Sequence, residues 1–119
     1  MNDKELISKS KLHDMIYNYI KPELDKCNNT GYWIDNSLQG AFYWRLINGV
    51  RHIRYIGARL YNDYWGIYND WCADEYTNIK IYTDHVEFIE ESKFTDFDKE
   101  FMRGLYLKIK EFVEGDNNE

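Results

Sequence analysis

The chain has one proline, two cysteines and no long apolar run in 119 residues. A single Pro and seven Gly exclude collagen-like and Pro/Gly-rich disordered classes. Cys27 and Cys72 stand alone, with no two-residue spacing to another Cys, so no disulfide framework, zinc ribbon or Cys-x-x-Cys redox motif is present. No segment reaches the ~18 apolar residues of a membrane span. The opening Met1-Asn2-Asp3-Lys4-Glu5 is charged and leads into no apolar signal core. A cytoplasmic location with reduced thiols and no membrane association is expected. Also missing are a Gly-rich phosphate loop and a Gly-x-Ser-x-Gly turn. His13, His52 and His85 have no ligand spacing, and Asp63 and Asp70 no EF-hand spacing. No catalytic residue, metal site or cofactor is therefore expected.

One absence is local. From Asn36 to Asn62, 27 consecutive residues hold no Asp or Glu, yet the chain has 21 acids. Four of its five arginines, Arg45, Arg51, Arg54 and Arg59, fall there. The segment carries about +4, the rest about −10, and the whole −6. That balance excludes broad nucleic-acid or anionic-membrane binding, which needs a dominant basic surface. A local anion site remains compatible with it, as does docking on a basic partner.

What is abundant is aromatic: 18% of residues, with 11 Tyr and 4 Trp. Apolar residues total 44%, enough to give one domain of this length a core, with residues 115–119 as a polar tail. Leu12, Met15, Ile16, Tyr19 and Ile20 follow helical spacing, and Pro22 ends or kinks that helix. Tyr32-Trp33-Ile34 reads as a short strand. Ala41–Ile47 and Val50–Ile56 flank Asn48-Gly49, which supplies the positive φ angles of a two-residue hairpin turn. Residues 61–76 fit a helix by spacing but oppose it by propensity. Strands at Ile79–Thr83 and Val86–Glu90 turn about Asp84-His85. Thr95 is placed to cap a helix carrying Phe97, Phe101, Leu105, Ile109 and Phe112, with Met102 and Val113 beside them. The expected fold is α+β: an antiparallel sheet of three to five strands packed by N- and C-terminal helices.

Two sites follow from these expectations. A two-residue turn sets Arg45 opposite His52 and Tyr43 opposite Arg54. Tyr43, Arg45, His52 and Arg54 then form one patch for a nucleotide or other anionic small molecule, the alternative being pairing with Glu87, Glu90 or Glu91. Asp63, Tyr64, Trp65, Tyr68, Asp70, Asp74 and Glu75 form an acidic–aromatic face for a protein partner, the alternative being that Trp65 and Trp71 fill the core. The first expected function is a non-enzymatic inhibitor that occludes a larger protein, in the manner of immunity or phage counter-defence proteins. The second is sequestration of an anionic ligand, and the third an enzyme acting on one. A homo-oligomer is compatible with either site.

Overall fold

A computed structural model describes residues 5–29, 39–46, 53–70, 74–95 and 98–115. Helix α1, Lys9–Leu24, begins at Ser8, whose hydroxyl accepts from the Lys11 amide at 3.1 Å. That contact satisfies one of the donors a helix start leaves open. Leu12, Ile16, Ile20 and Leu24 are its buried stripe. Pro22 lies inside the helix and does not end it. Having no N–H, it removes one hydrogen bond from the last turn, and Pro22 itself is exposed.

The sheet is an antiparallel meander in chain order: β1 (Cys27–Asn29), β2 (Gln39–Leu46), β3 (Ile53–Leu60), β4 (Trp65–Tyr68), β5 (Thr77–Ile81) and β6 (Val86–Phe88). Five of these build the body, and the three-residue β1 extends one edge. A single 3-10 turn, Asp74–Tyr76, precedes β5. Helix α2, Lys99–Gly115, closes the described chain. The α+β architecture expected from the sequence is observed, with one helix on each flank of the sheet in chain order.

Pairing decides the faces, because directly opposed residues of an antiparallel pair share one. Phe42 lies opposite Ile56, Ala58 opposite Ile67, Trp65 opposite Ile81 and Ile79 opposite Phe88. These residues form one apolar face, and Leu12, Ile16, Ile20, Met102, Leu105, Ile109 and Val113 from the two helices complete its core. The second face carries Tyr43, Tyr55, Gly57, Arg59, Gly66, Lys80 and Glu87.

Three sequence expectations are corrected. The β2–β3 register pairs Arg45 with Ile53, Trp44 with Arg54 and Tyr43 with Tyr55, one residue away from that of a two-residue turn. An odd number of residues therefore connects the pair, and β3 turns over relative to the expectation. The open reading of residues 61–76 resolves, among the described residues, to strand β4 and the 3-10 turn Asp74–Tyr76, in line with their Asn, Asp and Gly content. Thr95 does not cap α2. Its hydroxyl donates to the Asn69 carbonyl at 3.1 Å, while the Asp98 carboxylate accepts from the Glu100 amide at 3.3 Å and its carbonyl from Phe101 at 2.9 Å. The buried stripe of α2 is Met102, Leu105, Ile109 and Val113, and Phe112 stays exposed under the Lys11 ammonium at 4.8 Å. The strand expected at Tyr32-Trp33-Ile34, the Asn48-Gly49 turn itself and Phe97 lie outside the described residues.

Candidate docking face of the sheet

Two of the four residues expected in the anion patch lie on opposite faces of the sheet. Arg54 shares the face of Trp44, which is 1% exposed, and Tyr43 lies on the opposite face with Tyr55. A tight two-residue turn would have put them side by side; the observed register separates them. Arg45 sits opposite Ile53 in the backbone, not opposite His52, which lies outside the described residues. Two of the three candidate acids for pairing have other partners: Glu90 with Arg103 at 2.8 Å and Lys99 at 3.4 Å, and Glu87 with His85 at 3.2 Å. The acid-free stretch supplies β2 and β3, in which Phe42, Trp44, Ile56 and Ala58 are buried.

The acidic–aromatic residues divide. Trp65 is core, and its indole N–H donates to the Ile7 carbonyl at 2.9 Å. That bond ties the segment before α1 to the sheet. Tyr68 is buried on the second face, with its ring over Gly57, where any β-carbon would meet it at 2.6 Å. Neither ring is available as an anchor for a partner. Asp63, Asp74 and Glu75 are exposed, and Tyr64 and Asp70 half-buried. Trp71 lies outside the described residues.

What the fold adds is a row of rings. The β3–β4 and β5–β6 turns lie at the same end of the meander, since each strand reverses the last. Tyr61 and Tyr64 come from the first turn, Tyr82 and His85 from the second. Tyr61 stacks on Tyr64 with centroids 4.8 Å apart, Tyr64 meets Tyr82 at 5.1 Å, and Tyr82 stacks on His85 at 4.5 Å and 7°. Gly66 makes room for the fold-back of Tyr61, whose ring edge would lie 3.0 Å from a β-carbon there. Sequence reasoning missed Tyr61, Tyr82 and His85 as one group, because 24 positions separate the first from the last. The available signal was positional: Tyr61-Asn-Asp-Tyr64 and Tyr82-Thr-Asp-His85 are matching four-residue turns with a ring at each end.

Acids rim the row. The Tyr61 hydroxyl donates to Asp74 at 3.3 Å. Burial raises the Tyr61 pKa, the Asp74 charge adds to this, and Arg59 opposes it. Burial likewise raises Tyr82, followed by the Glu87 charge. His85 is bracketed, Nδ1 by Asp84 at 2.7 Å and Nε2 by Glu87 at 3.2 Å, and the Asp84 hydrogen bond leads in raising its pKa above the ordinary imidazole value. The imidazolium is thereby favoured. Two open clefts border the rings. One of about 550 Å³ is lined by Leu60, Tyr61, Asn62, Asp63 and Tyr64, and one of about 210 Å³ by Tyr61, Tyr64, Asp74, Thr77 and Lys80. No cluster of three or more His, Cys, Asp or Glu suited to a metal ion occurs among the described residues. Nor is any described helix long and apolar enough to cross a membrane.

Comparison with known proteins finds no matching family model, curated protein or solved structure.

Proposed function

We propose that this chain is a non-enzymatic binding protein that docks on a basic surface of a larger protein and inhibits it by occlusion. The observation that carries this reading is the ring row Tyr61–Tyr64–Tyr82–His85, set at one end of the sheet and rimmed by Asp63, Asp74, Asp84 and Glu87. Tyrosine rings supply contact area at low entropic cost and a hydroxyl for polar pairing, which is why they recur among interface anchors. The acids supply attraction and exclude acidic partners. On the sequence evidence, the cytoplasm is the expected compartment.

A photo-crosslinking amino acid at Asn62, exposed beside the rings, tests the reading; the same group at Lys108, exposed on α2, is the control. In cells of the source organism, position 62 should trap one predominant protein that position 108 does not. Reversing Asp63 and Asp74 to Lys should sharply lower the yield of the trap with an unchanged melting temperature. Equal yields from both positions, or a trap indifferent to charge reversal, would sink it.

A further inference from the structure

The smaller cleft has an occupant drawn from the chain itself. Lys80 lies opposite both Gly66 and Glu87 in register, on the second face of the sheet. Its ammonium makes no ion pair among the described residues, because the Glu87 carboxylate is turned to His85. Instead it stands 5.2 Å from the centroid of the Tyr64 ring. Asp74 lines the same cleft, with one carboxylate oxygen held by the Tyr61 hydroxyl. A flat ring, a carboxylate and a cation on the ring face thus share about 210 Å³.

We propose that this cleft is the seat of an arginine side chain of the partner, and that Lys80 is its place-holder, displaced on docking. The inference rests on the docking reading and names the chemistry of the docked group. Lys80 shows that the ring face accepts a cation. A lysine ammonium there is a compact, strongly hydrated charge, whereas a guanidinium is flat and weakly hydrated. The guanidinium stacks on tyrosine and keeps edge N–H donors free for the Asp74 carboxylate. The net charge of −6 and the acid rim favour delivery of a cation over an anion. The opposite assignment, in which Lys80 itself captures a partner's carboxylate, makes the opposite prediction for its removal.

The test uses the whole chain with tyrosine rings carbon-13 labelled, titrated with acetyl-Gly-Arg-Gly-amide and followed by NMR. Tyr61→Phe and Tyr64→Phe assign the two rings. Saturable shifts of both rings are expected in the millimolar range, with the Gly-Lys-Gly peptide about threefold weaker, in keeping with an exposed cation–π contact. Lys80→Met vacates the ring face and should tighten arginine binding about threefold. Asp74→Asn should remove most of it with an unchanged amide spectrum. The proposal is overturned if the arginine peptide gives no saturable shift in either wild type or Lys80→Met, if Gly-Glu-Gly shifts the same rings instead, or if Lys80→Met weakens binding. Failure here with the Asn62 crosslink intact removes the arginine seat alone. Loss of the crosslink removes the docking reading itself.

Discussion

Gly104 is where one missing side chain lets two helices meet. The Tyr19 hydroxyl of α1 donates to the Phe101 carbonyl of α2 at 2.7 Å, which holds that oxygen against the Gly104 backbone. A β-carbon at 104 would collide with it. Replacing a mid-helix glycine with alanine ordinarily gains about 0.5–1 kcal/mol. Here the collision reverses the sign, because overpacking costs about 1–3 kcal/mol and the hydroxyl is not free to swing away. Gly104→Ala should therefore lower stability by about 1–2 kcal/mol in urea unfolding. In a Tyr19→Phe background the same change should be neutral or stabilising. Equal costs in both backgrounds would show that the contact is not the cause. None of this is visible in the sequence, where Gly104 reads only as a weak point in a good helix. Trp65 and Ile7 are alike in this respect: the indole–carbonyl bond joins residues 58 positions apart, and no local pattern announces it.

At the level of elements, parity decided which expectations survived. In β5–β6 the observed pairs Ile81–Val86 and Ile79–Phe88 centre the turn on Thr83-Asp84, one position before Asp84-His85. A turn moved by one whole position shifts each partner by two, so Ile79, Ile81, Val86 and Phe88 stay on one face. In β2–β3 the partner shift is one, and every β3 side chain changes face relative to β2. Apolar alternation could not flag the difference, because Ile53, Tyr55 and Ile56 make either face of β3 plausible as core. The last strand shows a further device. The Val86 amide points off the free edge of β6 and donates to the Glu114 carboxylate of α2 at 2.8 Å, and Lys110 holds that carboxylate at 2.6 Å. An edge amide closed by a side chain is unavailable to a neighbouring chain. The Lys110 hydrogen bond, then the Val86 amide, lower the Glu114 pKa, so its stabilising contribution is present above the ordinary carboxylate value and is lost as pH falls through the depressed one. Glu114→Ala should cost about 1–2 kcal/mol near neutral pH, the size of a charge-assisted bond to an amide left partly buried. Lys110→Ala should cost markedly less, because the Glu114 carboxylate keeps the Val86 amide. The Glu114 penalty should fade in acid, as read by urea unfolding at several pH values. A pH-independent penalty would mean that lost packing, not the carboxylate, is responsible.

For the whole molecule, the helix–sheet–helix order was legible because amphipathic helices and apolar strands advertise themselves by period. The proposed docking face was legible only in its materials. Acids and tyrosines were counted correctly, but their assembly depends on two turns meeting at the same end of a meander. The acid-free segment supplies β2 and β3, whose register sets Tyr43 and Arg54 on opposite faces, so the proposal rests on the surplus acids rather than on the arginines. That shift has a kinetic consequence. A chain of net charge −6 whose exposed acids ring the contact should be steered to a basic partner at long range. Steering acts over the Debye length, about 10 Å at 0.1 M salt and about 3 Å at 1 M. Association with the protein trapped at Asn62 should therefore slow at least about tenfold between those salt concentrations, measured by stopped flow. Dissociation breaks contacts already formed and depends mainly on the rings, so it should change far less. Reversing Asp63 and Asp74 to Lys should reproduce the slow rate at low salt, while Tyr64→Ala should leave the association rate nearly intact and speed dissociation. An association rate flat across salt would mean that the partner's contact surface is not basic, whatever the rings do.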